Sequence, residues 1–171
     1  MSEPYQIAFV FPRGLPRESG VHRCHRLLHE HEIRLAEDSL LYLNDTDTEE
    51  PEPEPVTDED STLRKLVHWP TLGSLDYAGP EGLVTVSFSD SREQGPVSCI
   101  TISALGRAVD RTNSLPRYRQ LGTDLHQQLA ATRTVMDWGL EMRGFSCAEE
   151  VDRLRSGRFE GTYSLLDLRN E

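Results

Sequence analysis

The chain has 171 residues, of which 36% are hydrophobic, enough for one domain with its own core and too few for two domains of ordinary size. No run of about eighteen apolar residues occurs, and the N-terminal stretch lacks a basic start and a long apolar centre, so neither a membrane span nor a signal peptide is predicted. We therefore expect a cytoplasmic protein. The three cysteines Cys24, Cys99 and Cys147 lie far apart and form no CxxC pair, which argues against a disulfide framework or a zinc ribbon.

The net charge of −11 is concentrated in one segment. Nine acids and no lysine or arginine lie between Asp45 and Asp60. The remaining residues hold 20 acids against 18 bases, so the body of the protein is nearly neutral. This distribution argues against a strongly basic nucleic-acid-binding body.

The first predicted element is a strand over Tyr5–Phe11, where aromatic and β-branched residues alternate with smaller ones. The histidine-rich stretch from Gly20 to Glu32 follows and is compatible with a helix to about Leu28. The acidic segment at about 45–61 comes next, and its alternating prolines and glutamates predict an extended, self-repelling loop or linker.

From Leu72 the pattern changes to three apolar-alternating runs separated by turns, which predicts a three-stranded antiparallel meander over about 72–105. Apolar residues at helical spacing then predict one long amphipathic helix over about 114–144. A shorter helix is expected to begin near Ser146, which has capping-box spacing to Glu149, and the last residues read as a strand. We therefore predict a single α+β domain over 1–171. Its antiparallel sheet consists of the central meander plus terminal strands, packed by one long and one short C-terminal helix.

The histidine-rich stretch is the first candidate site. In a helix, His22, His25 and His29 fall on one stripe, and two imidazoles at i and i+4 can bind the same metal ion. Cys24 or His31 would complete such a site, and zinc would be the expected ion. The stretch lacks the HExxH pattern of zinc peptidases, and an extended conformation after His29 would break the stripe. A histidine-rich amphipathic surface without metal is the favoured account of the pattern, and no resident cofactor is expected.

Two further candidates are charged. Four arginines near a predicted helix N-terminus, Arg107, Arg111, Arg117 and Arg119, could bind a small anion such as phosphate or a carboxylate. The acidic segment offers a surface for a partner through Glu49, Glu50, Glu52, Glu54, Asp58, Glu59 and Asp60. Solvated loops would explain both groups without a ligand.

The sequence carries no phosphate-binding loop, no dinucleotide fingerprint, no nucleophile elbow and no deaminase motif. It therefore favours a non-enzymatic protein-binding module, for example a neutralising partner such as a toxin immunity protein or a secretion chaperone. The alternatives are a metal-binding protein or metal-dependent enzyme using the three histidines, and a module for small anionic ligands at the arginine group. We expect a protein partner, and neither a membrane nor a nucleic-acid partner; a homo-oligomer is left open.

Overall fold

A computed structural model describes residues 5–44, 52–69, 72–80, 82–90, 96–104, 111–138 and 165–170, without the side chains of 44, 72, 89, 90, 111–113 and 138. Within these ranges the fold is α+β, with one antiparallel sheet of eight strands and three helices. The elements in chain order are β1 Tyr5–Leu15, α1 Arg17–Glu30, β2 Leu40–Asn44, β3 Glu54–Pro55, α2 Glu59–His68, β4 Leu72–Gly79, β5 Gly82–Asp90, β6 Val97–Ala104, α3 Arg111–Gln128, β7 Arg133–Trp138 and β8 Leu166–Arg169.

The N-terminal strand occupies the interior of the sheet. The strand order is β3-β2-β4-β5-β6-β1-β7-β8, and every neighbouring pair is antiparallel. β1 pairs with β6 on one side and with β7 on the other. Every residue from Tyr5 to Phe11 is buried, so the side chains on both faces of this strand are shielded from solvent.

The three helices lie on one face of this sheet. Ile7 aligns with Ile102, and the same row continues through Val86 to Leu75; all four side chains are buried. A Cβ atom added at Gly122 of α3 would lie 3.7 Å from Ile7, so this glycine allows the helix to approach the sheet closely. Leu66 of α2 reaches Gly73 on the same face. The core is therefore the layer between the helices and this face.

None of the described helices is long and apolar enough to cross a membrane.

The expected long helix over 114–144 is wrong over 129–138, and residues 139–144 lie outside the described residues. The helix spans Arg111–Gln128, and residues 133–138 form β7 between β1 and β8. Ala130 adopts a positive φ of 55°, which ends the helical path. Val135 and Met136 are then buried on opposite faces of the strand. The helical periodicity of the sequence continues past the turn at Ala130. Pairing with the buried strand β1 outweighs that periodicity and imposes a strand. The expected short helix beginning near Ser146 lies outside the described residues.

The second half of the acidic segment has regular structure. Glu54 and Pro55 pair with β2, and α2 begins at Glu59. The Asp58 side chain caps this helix by accepting a hydrogen bond from the Ser61 backbone N–H at 3.2 Å, as preferred at this position. Leu63 and Leu66 of α2 are buried in the core. These apolar residues anchor a helix that composition alone did not predict.

A buried ion pair joins the last two strands. The Arg133 guanidinium donates to both carboxylate oxygens of Asp167, at 3.2 and 3.0 Å, and Arg169 lies 3.4 Å from the same carboxylate. Burial alone would raise the pKa of Asp167, but the hydrogen bonds from Arg133 and Arg169 outweigh it and hold that pKa below its ordinary value.

A histidine network fixes the chain after β8. His126 of α3 is 5% exposed and lies 2.7 Å from the Thr134 hydroxyl and 2.8 Å from Asn170 Oδ1. The Asn170 amide nitrogen donates to the Ala131 carbonyl at 2.8 Å. Both ring nitrogens of His126 thus have protein partners, and this histidine holds α3, β7 and the residue after β8 together.

Asp167→Asn is expected to lower the free energy of unfolding at pH 7 by about 2 kcal/mol, because the buried Arg133 loses its charged acceptor. A carboxylate with a lowered folded-state pKa stabilises the fold above its ordinary pKa of 3.8 and loses that contribution as the pH falls through the lowered value. Denaturant titrations between pH 7 and pH 2 measure the difference. The exposed Asp38→Asn control should change stability by less than about 0.5 kcal/mol, and a gap that persists unchanged at pH 2 would contradict the assignment.

Cys24 is expected to be chemically inert in the folded protein. Its side chain is fully buried in α1, and burial raises the pKa of the thiol to about 12. The thiolate fraction at pH 8 is then about a thousandfold below that of an unperturbed thiol. Mass spectrometry of the Cys24 peptide after iodoacetamide treatment measures the rate, and the denatured protein supplies the control. Alkylation of folded Cys24 at the denatured rate would refute the prediction.

Candidate functional site

The histidine-rich stretch is helical, and its apolar stripe determines which histidines face inward. Val21, Cys24 and Leu28 of α1 are fully buried at helical i, i+3 and i+7 spacing, which packs one side of the helix onto the core. His25 and His29 lie on the edge of that stripe, one turn apart. Their rings are 4.4 Å apart between centroids.

Glu59 joins the two imidazoles from the neighbouring helix. It is the first residue of α2, where a carboxylate is favoured by the helix dipole. Its Oε1 atom contacts His25 Nε2 directly and lies 3.6 Å from His29 Nε2. The carboxylate therefore faces both rings at once, and α1 and α2 supply the two sides of the group.

Tyr77 of β4 holds the far side of His25. Its hydroxyl lies 2.8 Å from His25 Nδ1. Burial lowers the pKa of His25, as does the neighbouring His29, while the hydrogen bond to Glu59 acts in the opposite direction. Burial, followed by the proximity of Cys24 and Glu59, raises the pKa of Tyr77 well above its ordinary value. The Tyr77 hydroxyl thus orients the His25 ring from its Nδ1 side.

The three ligand atoms of His25, His29 and Glu59 lie within 4.8 Å of one another. Two imidazole nitrogens and one carboxylate oxygen form a donor set that suits divalent transition metals. His29 Nε2 is a buried atom with no hydrogen-bond partner among the described residues, although the rest of its side chain is 37% exposed. We refer to these three residues as the His-Glu group.

The other predicted ligands lie elsewhere. His22 is exposed one turn before His25 and is not part of the His-Glu group. His31 pairs with Asp124 of α3 at 2.9 Å, which ties the end of α1 to α3. Cys24 points into the core. The structure therefore brings together His25 and His29 and adds Glu59, which sequence reasoning placed in the acidic segment.

The predicted arginine group is described only in part. Arg107 and the side chain of Arg111 lie outside the described residues. Arg119 Nε donates to the Leu165 carbonyl at 2.8 Å, so this arginine connects α3 to the start of the last strand. Arg117 is half-buried and has interactions of its own. No described contact joins Arg117 and Arg119 into one anion site.

The predicted acidic partner surface is described from Glu52 onward; Glu49 and Glu50 lie outside the described residues. Five of its carboxylates are exposed and are called the acidic surface below: Glu52, Glu54, Asp58, Glu59 and Asp60. Glu54 forms an exposed ion pair with Lys65 at 3.0 Å, and Asp58 caps α2. Most of this surface therefore lies on an ordered strand and helix.

Sequence reasoning missed Glu59 and Tyr77 as members of the site. A start signal for α2 was present, since Asp58 precedes acidic residues and an apolar pair three residues apart, Leu63 and Leu66. That signal would have placed Glu59 in the first turn of a helix. No local pattern could have placed Tyr77, because its contact with His25 joins residues 52 positions apart.

Comparisons with known proteins found distant structural similarity only. No known protein family matches the chain, and no curated protein matches it. A T6SS protein from Pseudomonas aeruginosa is similar at a TM-score of 0.45 and 12% identity, over 80% of this chain and 41% of that one. A chain from the complex of the toxic C-terminal tip of CdiA from Pseudomonas aeruginosa with its immune protein is similar at a TM-score of 0.44 and 12% identity, over 81% and 88%. This chain thus spans about two fifths of the first structure, and neither similarity assigns it a function.

Proposed function

We propose that the chain is a non-enzymatic binding module whose acidic surface engages a protein partner with a basic surface. The observation that carries this proposal is the exposure of five carboxylates that lie on, or directly beside, the strand β3 and the helix α2. The charged residues outside 45–60 nearly balance one another, with 20 acids against 18 bases, so the acidic segment that contains this surface carries most of the net charge. A local field of one sign selects partners of the opposite sign and speeds their association.

The anchoring of the acidic surface supports a docking role. Glu54 is held by the pairing of β3 with β2, and the Val56 N–H donates to the Ser39 carbonyl at 3.1 Å. Thr62, Leu63 and Leu66 fix α2 to the core. Carboxylates on such a scaffold lose little conformational entropy when a partner binds, which favours affinity.

Charge repulsion within the surface is compensated only in part. Lys65 neutralises Glu54, but this pair is exposed, and exposed ion pairs contribute little. The N-terminus of α2 offsets part of the charge of Glu59 and Asp60. Basic groups on a partner would relieve the remaining repulsion, which is a physical reason for a basic surface to be preferred.

Within this class we propose a neutralising role, as in a toxin immunity protein or a secretion chaperone. A basic surface is what a protein needs to hold nucleic acid or other polyanions. A module that covers that surface with carboxylates blocks it by competition without any chemistry of its own. The proposal therefore predicts a partner whose own activity requires the basic surface that the module covers.

The first test is the double variant E52Q/D60N. Loss of two exposed charges is expected to weaken binding of a purified basic partner, isolated by crosslinking from the host cell, by roughly fivefold, or about 0.5 kcal/mol for each charge. Titration calorimetry at two salt concentrations measures the Kd. Higher salt should weaken binding of the unmodified protein more than binding of the variant.

The matched control is E18Q/E30Q on α1. Both pairs remove two exposed acids, and in each pair one acid lies in the first turn of a helix. The control should bind as tightly as the unmodified protein. Equal affinity of E52Q/D60N and the unmodified protein, together with no dependence on salt, would refute the acidic surface as the binding site.

A further inference from the structure

We propose that His25, His29 and Glu59 form a binding site for a divalent transition metal, with zinc as the preferred ion. The proposal is independent of the binding role above and rests on the geometry of the His-Glu group alone. The ion would connect α1 to α2 through two imidazole nitrogens and one carboxylate oxygen. Its remaining position would face solvent.

The spacing of the donor atoms fits one ion. Zinc binds histidine nitrogens and carboxylate oxygens at about 2.0–2.2 Å, which places neighbouring ligand atoms of a tetrahedral site about 3.3 Å apart. His29 Nε2 and Glu59 Oε1 are already 3.6 Å apart. His25 Nε2 and Glu59 Oε1 are in direct contact, so metal entry requires the exposed Glu59 carboxylate to withdraw from His25 to the spacing of two ligands of one ion. Rotation of a half-exposed glutamate side chain is sufficient for this change.

The unpartnered nitrogen of His29 supports a ligand at this position. A buried polar atom without a hydrogen bond is uncommon and unfavourable, and His29 Nε2 is such an atom among the described residues. It faces the same carboxylate oxygen that contacts His25. A metal ion placed among the three atoms, which all lie within 4.8 Å of one another, would give this nitrogen a partner.

The surroundings of His25 match those of a metal ligand. A histidine that binds metal through one ring nitrogen is commonly oriented by a hydrogen bond at the other. The Tyr77 hydroxyl occupies this position, 2.8 Å from His25 Nδ1, and leaves Nε2 directed at Glu59. With the ion bound, Nδ1–H donates to the tyrosine oxygen, which fixes the tautomer that binds metal.

The donor set also selects the ion. Calcium and magnesium prefer six or more oxygen ligands, whereas this site offers two nitrogens and one carboxylate. The buried Cys24 thiol is not a member of the group, so the site lacks the thiolate that favours copper(I). Two histidines and one glutamate with an open position is an arrangement that zinc adopts readily. Half-exposure of His29 and Glu59 gives the ion a path from solvent.

The test is titration of zinc chloride into tag-free, chelator-treated protein, followed by calorimetry. The unmodified chain is expected to bind one zinc ion with a Kd of about 1 μM or below. His29→Gln and Glu59→Gln, both at half-exposed side chains that leave the core intact, should each weaken binding more than about a hundredfold. His22→Gln is the matched control, because it removes an exposed histidine from the same helix one turn away, and it should bind zinc unchanged.

Cobalt substitution gives a readout that does not depend on the variants. Cobalt(II) in the unmodified protein is expected to produce the intense visible absorption of a four-coordinate site, and added zinc should abolish it. Absence of stoichiometric zinc uptake would overturn the proposal. So would an equal loss of affinity in His22→Gln, which would mean diffuse binding along the histidine-rich surface. E52Q/D60N leaves Glu59 in place, so failure of the partner test and failure of the metal test are separable.

Discussion

The burial of β1 between β6 and β7 is the constraint on which the rest of the structure depends. Tyr5, Ile7 and Phe9 contribute the helix-facing side of this strand, and Ala8 and Val10 are buried on the other side. A strand buried on both faces and paired along both edges leaves its neighbours little freedom of register. The positions of α1, α2 and α3 follow, because each must place its apolar stripe on the same helix-facing side.

That arrangement explains why the His-Glu group exists. α1 must turn Cys24 and Leu28 toward the sheet, and the flanking positions His25 and His29 then face α2. α2 must bury Leu63 and Leu66, which brings its first turn and Glu59 to the histidines. The polar group is thus a consequence of how two apolar stripes pack, and it forms at the rim of the core where water is partly excluded.

Glu59 belongs to the acidic surface as well as to the His-Glu group. An ion bound to Glu59 would therefore remove one negative charge from the surface that a partner meets.

Local patterns predicted the elements whose periodicity agrees with their tertiary environment. The alternation over Tyr5–Phe11 and the apolar spacing that continues to Leu125 each indicate the structure that forms there. The pattern fails at Met136, where helical spacing continues by coincidence but pairing with β1 imposes a strand. It fails again at Glu59, because the prolines and acids that precede α2 obscure a helix fixed mainly by two buried leucines. Contacts between distant residues such as His25 and Tyr77 leave no local signal and need the folded sheet to be recognised.

The central position of the first strand also affects how the chain folds. β1 cannot gain both of its neighbours until the chain has been made through Trp138, because β6 and β7 lie about ninety to one hundred and thirty residues downstream. Bringing together residues so far apart in the sequence costs conformational entropy before the stabilising strand contacts form, which slows folding. During synthesis the apolar strand β1 therefore stays unpaired until the ribosome has made β6 and β7. The strand that organises the finished sheet is therefore open to aggregation until the sheet is complete.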